Sequence, residues 1–184
     1  MNAAVTVFFL IIKVFSLYFL AVSLFGLCSR RRPEPAARLR RFAVLIAARN
    51  EESCIAGLIE SLRAQHYPPE LVDIWVLPNN CTDCTAEAAR RSEAQVLEMP
   101  ASVRSKGAAL HTAAKALLRS ARNYDAFCVF DADNEADPAF LSEMNRALDR
   151  AAIVKSRILA KNRTQAGISA CYEIYFCSAN HFLN

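Results

Sequence analysis

Residues 127–141 read FCVFDADNEADPAFL, and the rest of the chain is best read outward from this stretch. The apolar run Ala126–Phe130 shows no polar alternation, as expected of a strand buried on both faces. It stops at Asp131 and Asp133, which have one residue between them. In extended backbone, residues two apart point the same way, so the spacing predicts two neighbouring carboxylates. Such a pair repels unless a cation sits beside it. Mg²⁺ and Mn²⁺, which keep water and substrate phosphates among their ligands, suit one or two carboxylates. A solvated acidic loop is the plainer alternative, because Glu135 and Asp137 continue the run. Asp137-Pro138 then predicts a helix start, with Asp as N-cap and Pro at the first helical position. Phe140, Leu141, Met144 and Leu148 give that helix its apolar stripe.

Upstream, the same alternation recurs. FAVLIAA (42–48) is a second continuous apolar strand. Ile55, Leu58, Ile59 and Leu62 mark a helix face, which Tyr67-Pro68-Pro69 ends. Val72–Leu77 reads as a strand, Thr85–Arg91 as a short helix capped by Thr82 or Asp83, and Ala94–Met99 as another strand. Leu110, Ala114, Leu117 and Leu118 mark a helix from Lys106-Gly107, and Ala151–Val154 reads as a fifth strand. Strand–helix alternation predicts an α/β fold, a mostly parallel sheet with helices on both faces. Ligands of such sheets bind beyond the carboxyl ends of the strands. The polar clusters fall at those ends: Arg49-Asn50-Glu51-Glu52, Asn79-Asn80-Cys81-Thr82-Asp83 and Asp131-Ala132-Asp133.

Each cluster also has a plain structural reading. Asn50 can cap the following helix, with the acids in its first turn, and Asn79-Asn80 can form a turn. A lysine at a helix N-terminus is electrostatically misplaced unless it faces an anion, which makes Lys106 a phosphate candidate. Cys81-x-x-Cys84 lacks two further zinc ligands at short spacing. His66, His111 and His181 sit near no nucleophile pattern. The four glycines form neither GxGxxG nor GxxxxGK, which leaves dinucleotide and P-loop chemistry without support.

Residues 3–27 are apolar apart from Lys13 and predict a transmembrane anchor, since 25 residues at 1.5 Å each exceed a core of about 30 Å. A cleaved signal peptide would want a basic start and a shorter apolar core. Residues 28–41 form a basic Pro/Arg linker, with six arginines against Glu34. The total of +4, less the +5 of this run and the +1 of Lys13, leaves −2 for the rest. Basic flanks stay in the cytoplasm. The expected arrangement is therefore a single pass through the cell membrane, N-terminus outside and domain inside, with the arginines near anionic headgroups. A mildly acidic domain argues against nucleic acid as a partner. Seven scattered cysteines, an odd count, predict reduced thiols.

Four stretches in order, VLIAARNEE (44–52), VLPNNCTDCTAEAA (76–89), RSKGAAL (104–110) and FCVFDADNEADPAFL (127–141), resemble family 2 glycosyltransferases of the GT-A (Rossmann-like) fold. A weaker likeness continues through residues 160–176. The resemblance implies a domain over 42–184, a nucleotide-diphosphate-sugar donor, a glycan or lipid acceptor, Mg²⁺ or Mn²⁺, and inversion at the anomeric carbon. It implies that Arg49 and Glu51 lie in the first nucleotide-contact loop, Asn79 at the base, and Lys106 by ribose and phosphates. Asp131 and Asp133 form the D-x-D, with Asp133 on the metal. The chain departs from the family at Ala47, usually Pro, and Asn79, usually Asp. The family's general base and its Arg-Trp-type motif are not seen, and Glu173 is the sole acid after Asp149, so a C-terminally truncated form is expected. Two other readings are a nucleotide-sugar-binding membrane protein without catalysis, and a haloacid-dehalogenase-type phosphatase, suggested by CVFDADN.

Overall fold

The computed structural model describes residues 3–28 and 36–159, with the side chains of the first helix given from Val5 to Ala21. The chain divides into two compact units. In the first, helix α1 spans Ala3–Cys28, 26 residues. Among the described residues, which in this helix give side chains for Val5 to Ala21 alone, no helix is long and apolar enough to cross a membrane.

The second unit, Pro35–Ser156, contains all the other described helices and strands. Its elements are β1 (Phe42–Ala48), α2 (Ile55–Arg63), β2 (Val72–Pro78), α3 (Thr85–Arg91), β3 (Gln95–Val96), α4 (Lys106–Leu118), β4 (Ala126–Asp131) and α5 (Phe140–Ala147). The four strands form one wholly parallel sheet in the order β3-β2-β1-β4. β1 is central, which explains its unbroken apolar sequence: a strand with both faces covered has no polar side. Val44, Ile46 and Ala48 pack against α2 and α3. Ala43 and Leu45 point to the other face, against Ala113 and Leu117 of α4. A third cluster, Phe42, Tyr67 and Leu141, closes the amino end of the sheet.

The predicted α2 stripe is the observed one: Ile55, Leu58, Ile59 and Leu62 are all buried. The α4 stripe is rotated. Its buried residues are Ala109, Ala113 and Leu117, whereas Leu118 is 69% exposed. Alanines bring this helix close to the sheet, so small residues, not the leucines, mark the contact. The third predicted strand shrinks to Gln95–Val96, and Ala151–Val154 is irregular rather than a fifth strand. Helix α5 begins at Phe140, later than predicted. The Asp137 carboxylate accepts from Ala139 N at 2.9 Å, and Phe140 N donates to the Asp137 carbonyl, also at 2.9 Å. Asp137-Pro138 thus makes the turn that leads into the helix.

The predicted basic linker is partly domain. Arg40 Nη1 lies 2.8 Å from Asp149 Oδ1 and donates to the Asn145 carbonyl at 2.9 Å. Its Nη2 donates to the Leu148 carbonyl at 3.3 Å. A cation at the last turn of α5 answers the negative end of the helix dipole. Arg40 N donates to the Tyr67 hydroxyl, which donates back to the Arg40 carbonyl, both at 2.8 Å. Arg38 pairs with Asp125 at 3.0 Å and Arg41 with Asp73 at 3.7 Å. These three arginines are therefore engaged with the domain's own acids. Arg30, Arg31 and Arg32 lie outside the described residues, as do residues 160–176, Glu173 and His181.

Candidate functional site

The carboxyl ends of β1, β2 and β4 lie abreast, with Ala47 in register with Leu77 and with Asp131. β2 follows on one side of β1 and β4 lies on the other, so the chain reverses its direction of sheet-building between β1 and β4. Crevices at such switch points are where open α/β sheets take ligands. The loops holding Arg49, Glu51, Asn79, Asp131 and Asp133 all leave from these ends.

Asp131 closes β4, and Asn134 N donates to its carbonyl at 3.1 Å. Asp131-Ala132-Asp133 therefore enters a turn rather than continuing extended as predicted. The outcome for the carboxylates is similar: Ala132 is buried at 4% exposure, while Asp131 and Asp133 are both exposed. Lys106, the first residue of α4, pairs through Nζ with Asp131 Oδ1. The misplaced cation at this helix start thus has its anion, a carboxylate. Ser105 caps α4, its Oγ accepting from Ala108 N at 3.2 Å.

The β1 and β2 loops are bonded to each other. Asn50 is not the cap of α2: it takes φ 58°, and its Oδ1 accepts from Thr82 N at 2.8 Å. Short polar side chains tolerate this left-handed region better than most. Glu51 N donates to Thr85 Oγ1 at 2.9 Å, and Glu52 N to Asp83 Oδ2 at 3.1 Å. Cys84 N returns a bond to Glu52 Oε2 at 3.1 Å. The bond from the Thr85 hydroxyl to Asp83 is the largest cause holding the Asp83 carboxyl below its usual range. The sequence places Thr82 and Asp83 in the strand-end polar cluster and offers them as caps, while Thr85 enters only as the start of α3. The signal present was Asp83-x-Thr85 beside an Asn-rich run, a spacing suited to local side-chain-to-backbone bonds.

Asn79 is buried, and its N–H donates to the Ala48 carbonyl at 3.0 Å. Asn80, at φ 52°, donates from Nδ2 to Asn79 Oδ1 and to the Val103 carbonyl, both at 2.8 Å. It ties the β2 loop to the segment before α4. Arg49 is exposed and Glu51 half-buried. Cys81 and Cys84 are free thiols, and Cys81 Sγ is 3.6 Å from the Ala48 carbonyl. Among the described residues, no three His, Cys, Asp or Glu side chains group as a metal cage. A site of one or two carboxylates completed by phosphates and water needs no such cage.

A cavity of ≈300 Å³ lies away from these loops, lined by Leu62, Arg63, Gln65, Tyr67 and Asp73 among others. Its polar groups are already engaged: Arg63 with Glu93, and Gln65 with the Asp137 carbonyl. It has no convergent chemistry, and the strand ends remain the better candidate despite their open shape.

The family model described as glycosyl transferase family 2 matches residues 43–178. The chain belongs to glycosyltransferase family 2. Membership also removes the phosphatase reading. No curated protein matches. Among solved structures, the mannosyltransferase PcManGT from Pyrobaculum calidifontis, in complex with GDP-Man and Mn²⁺, shares 21% identity at TM-score 0.57. That match covers 74% of this chain and 42% of that one. S. aureus TarS 1–349 shares 21% identity at TM-score 0.50, over 59% of this chain and 32% of that one. Both show the fold, a mostly parallel α/β sheet of GT-A type. Glucosyl-3-phosphoglycerate synthase from Mycobacterium tuberculosis, in complex with UDP, shares 30% identity at TM-score 0.40, covering 52% of this chain and 34% of that one. The family 2 chain thus spans less than half the length of these structures.

Proposed function

We propose that the family 2 chain binds a nucleotide-diphosphate-sugar together with Mg²⁺ or Mn²⁺ and serves inverting transfer of the sugar to a glycan or lipid acceptor. The observation that carries this is the pair of exposed carboxylates, Asp131 and Asp133, at the β1/β4 switch point, facing loops a parallel sheet uses for ligands. The donor set fits the metal: hard oxygens, few in number, open to solvent. The GDP-Man and Mn²⁺ of the Pyrobaculum structure agree with this choice. Asp133 would hold the ion, which when bound offsets charge on the diphosphate leaving group.

The chain's own residues do the rest. Lys106 sits at the positive end of α4, already beside Asp131, and supplies a cation where phosphate charge gathers. Arg49 and Glu51, on the β1 loop, and Asn79, on the β2 loop, contact the nucleoside. Asn79 has an amide where the family usually has a carboxylate, so it brings no charge to the base. The base that activates the acceptor is not among these residues.

We place the chain at the cell membrane, anchored by α1 with the domain cytoplasmic. Helix α1 has 26 residues, about 39 Å at 1.5 Å per residue, and Lys13 is its one charge. The sequence beyond its described side chains stays apolar, with Val22, Leu24, Phe25 and Leu27.

Calorimetric titration of the full chain in detergent with UDP and with GDP tests the donor reading. One nucleotide should bind in the presence of Mn²⁺ or Mg²⁺ and lose most of its affinity in chelator. Metal-independent binding would remove the metal role, and no binding of either would remove the donor site.

A further inference from the structure

We infer that Thr85 and Asp83 are positioning residues for the nucleoside end of the donor site, holding the β1 and β2 loops as one piece; this deepens the donor reading above and rests on it. Thr85 is fully buried at 0% exposure, although it carries a hydroxyl. A buried hydroxyl is costly unless bonded. This one accepts from Glu51 N at 2.9 Å and donates to Asp83 Oδ1. Its bonds therefore link two loops instead of serving its own helix alone, and Cys84, the N-cap of α3, makes no side-chain cap.

Bonds cross in both directions. Amides of the first loop, Glu51 N and Glu52 N, donate to Thr85 and Asp83, the latter at 3.1 Å. Amides of the second loop, Thr82 N and Cys84 N, donate to Asn50 Oδ1 at 2.8 Å and Glu52 Oε2 at 3.1 Å. Each loop also carries an asparagine in the left-handed region, Asn50 at φ 58° and Asn80 at φ 52°. Such conformations persist when surrounding bonds over-determine them. Glu51 gives the clasp only its N–H, so its carboxylate and the Arg49 guanidinium are left outside it.

The clasp is one-sided. It joins the loops after β1 and β2, whereas Asp131 and Lys106 pair with each other on β4 and α4. Loosening it should therefore weaken contacts to the nucleoside and spare the metal–diphosphate end.

The test is calorimetry on the full chain with Mn²⁺ and, in turn, UDP, GDP and inorganic pyrophosphate, for wild type, Thr85→Val, Thr85→Ser and Asp83→Asn. Circular dichroism melts on the same samples confirm folding. Thr85→Val removes both bonds of the buried hydroxyl and should weaken the preferred nucleoside diphosphate about tenfold. Pyrophosphate affinity should stay within about twofold, and Thr85→Ser should restore the nucleotide. A folded Thr85→Val with unchanged nucleotide affinity overturns the clasp, as does an equal loss for pyrophosphate or no rescue by serine. If Thr85→Val does not fold, Asp83→Asn, at a partly exposed site, carries the same comparison. Wild type binding pyrophosphate but neither nucleotide would sink the donor reading itself, a different result from any failure among the variants.

Discussion

At the amino ends of the strands, Asp73 accepts hydrogen bonds from Tyr124 at 2.9 Å and Gln95 at 3.1 Å, and it pairs with Arg41 and Arg122. Its side chain is 12% exposed. At the carboxyl ends, Asp131 has Lys106 and is 62% exposed, and Asp133 is exposed beside it. The same residue type is enclosed and neutralised at one end of the sheet and left facing water at the other. Enclosed charges satisfied from within serve the fold and are costly to disturb. Exposed acids at strand ends contribute little to stability and remain free to take a ligand. Local choices that add nothing to stability are where function is expected.

The largest expected effect tests that contrast at the carboxyl ends. Asp133→Ala should cut metal-dependent nucleotide affinity by at least about 10²-fold, since even outer-shell partners of a metal ligand are worth roughly 10–100-fold, while the melting temperature stays within about a degree or two. A large fall in melting temperature with affinity intact would reverse the roles assigned to the two ends.

Arg40→Met tests the other end. It removes a guanidinium that is 13% exposed and leaves the Asn145 and Leu148 carbonyls without their donor. Urea unfolding should show a loss of about 2–3 kcal/mol, with nucleotide affinity of the folded protein unchanged. An affinity loss larger than the stability loss would mean the two ends are coupled.

A smaller effect concerns acid. The Ala37 N–H, then Arg40, hold the Asp149 carboxyl below its usual range. A depressed carboxyl stabilises the fold above its unfolded pKa of about 3.9, and this is lost as pH falls through the lower folded value. Asp149→Asn should make stability flatter with pH below about 4. An unchanged slope in pH-dependent urea melts would show that Asp149 is not held this way.

The sheet was legible because its code is local. FAVLIAA, on the central strand, is apolar without alternation because both its faces are covered; AFCVF shows the same pattern, but its expected burial on both faces is not met, since β4 ends the described sheet and Val129 is 53% exposed. The α2 stripe was equally clear, since its large side chains are also its buried ones. The α4 stripe misled because the helix approaches the sheet through Ala109 and Ala113, and alanine gives little hydropathic contrast. Asn145 and Arg40 escaped notice for another reason. A buried asparagine donating to the Arg38 carbonyl at 2.8 Å, and an arginine closing a helix 105 positions away, depend on pairings no local window contains. Within the candidate site, the strand-end positions of the acids could be read from the sequence. The bonds between the two loops could not, because Asn50, Thr82 and Asp83 each had a satisfactory local explanation as a cap or turn.

The ion pairs of Arg38, Arg40 and Arg41 also have a consequence in time. A nascent chain is oriented in a bilayer before its domain exists, and at that moment Asp73, Asp125 and Asp149 are far along the chain or not yet made. On the membrane reading proposed above, all six arginines of residues 28–41 would then count as free positive charge. Once the domain closes, three of them acquire carboxylate partners. The same side chains would first act as a sorting signal and later as rivets. A variant that swaps Asp149 and Arg40 would keep the ion pair but not the bonds from Arg40 to the Asn145 and Leu148 carbonyls, and would weaken the signal, separating in one molecule the charge that biosynthesis reads from the pair that the folded protein keeps.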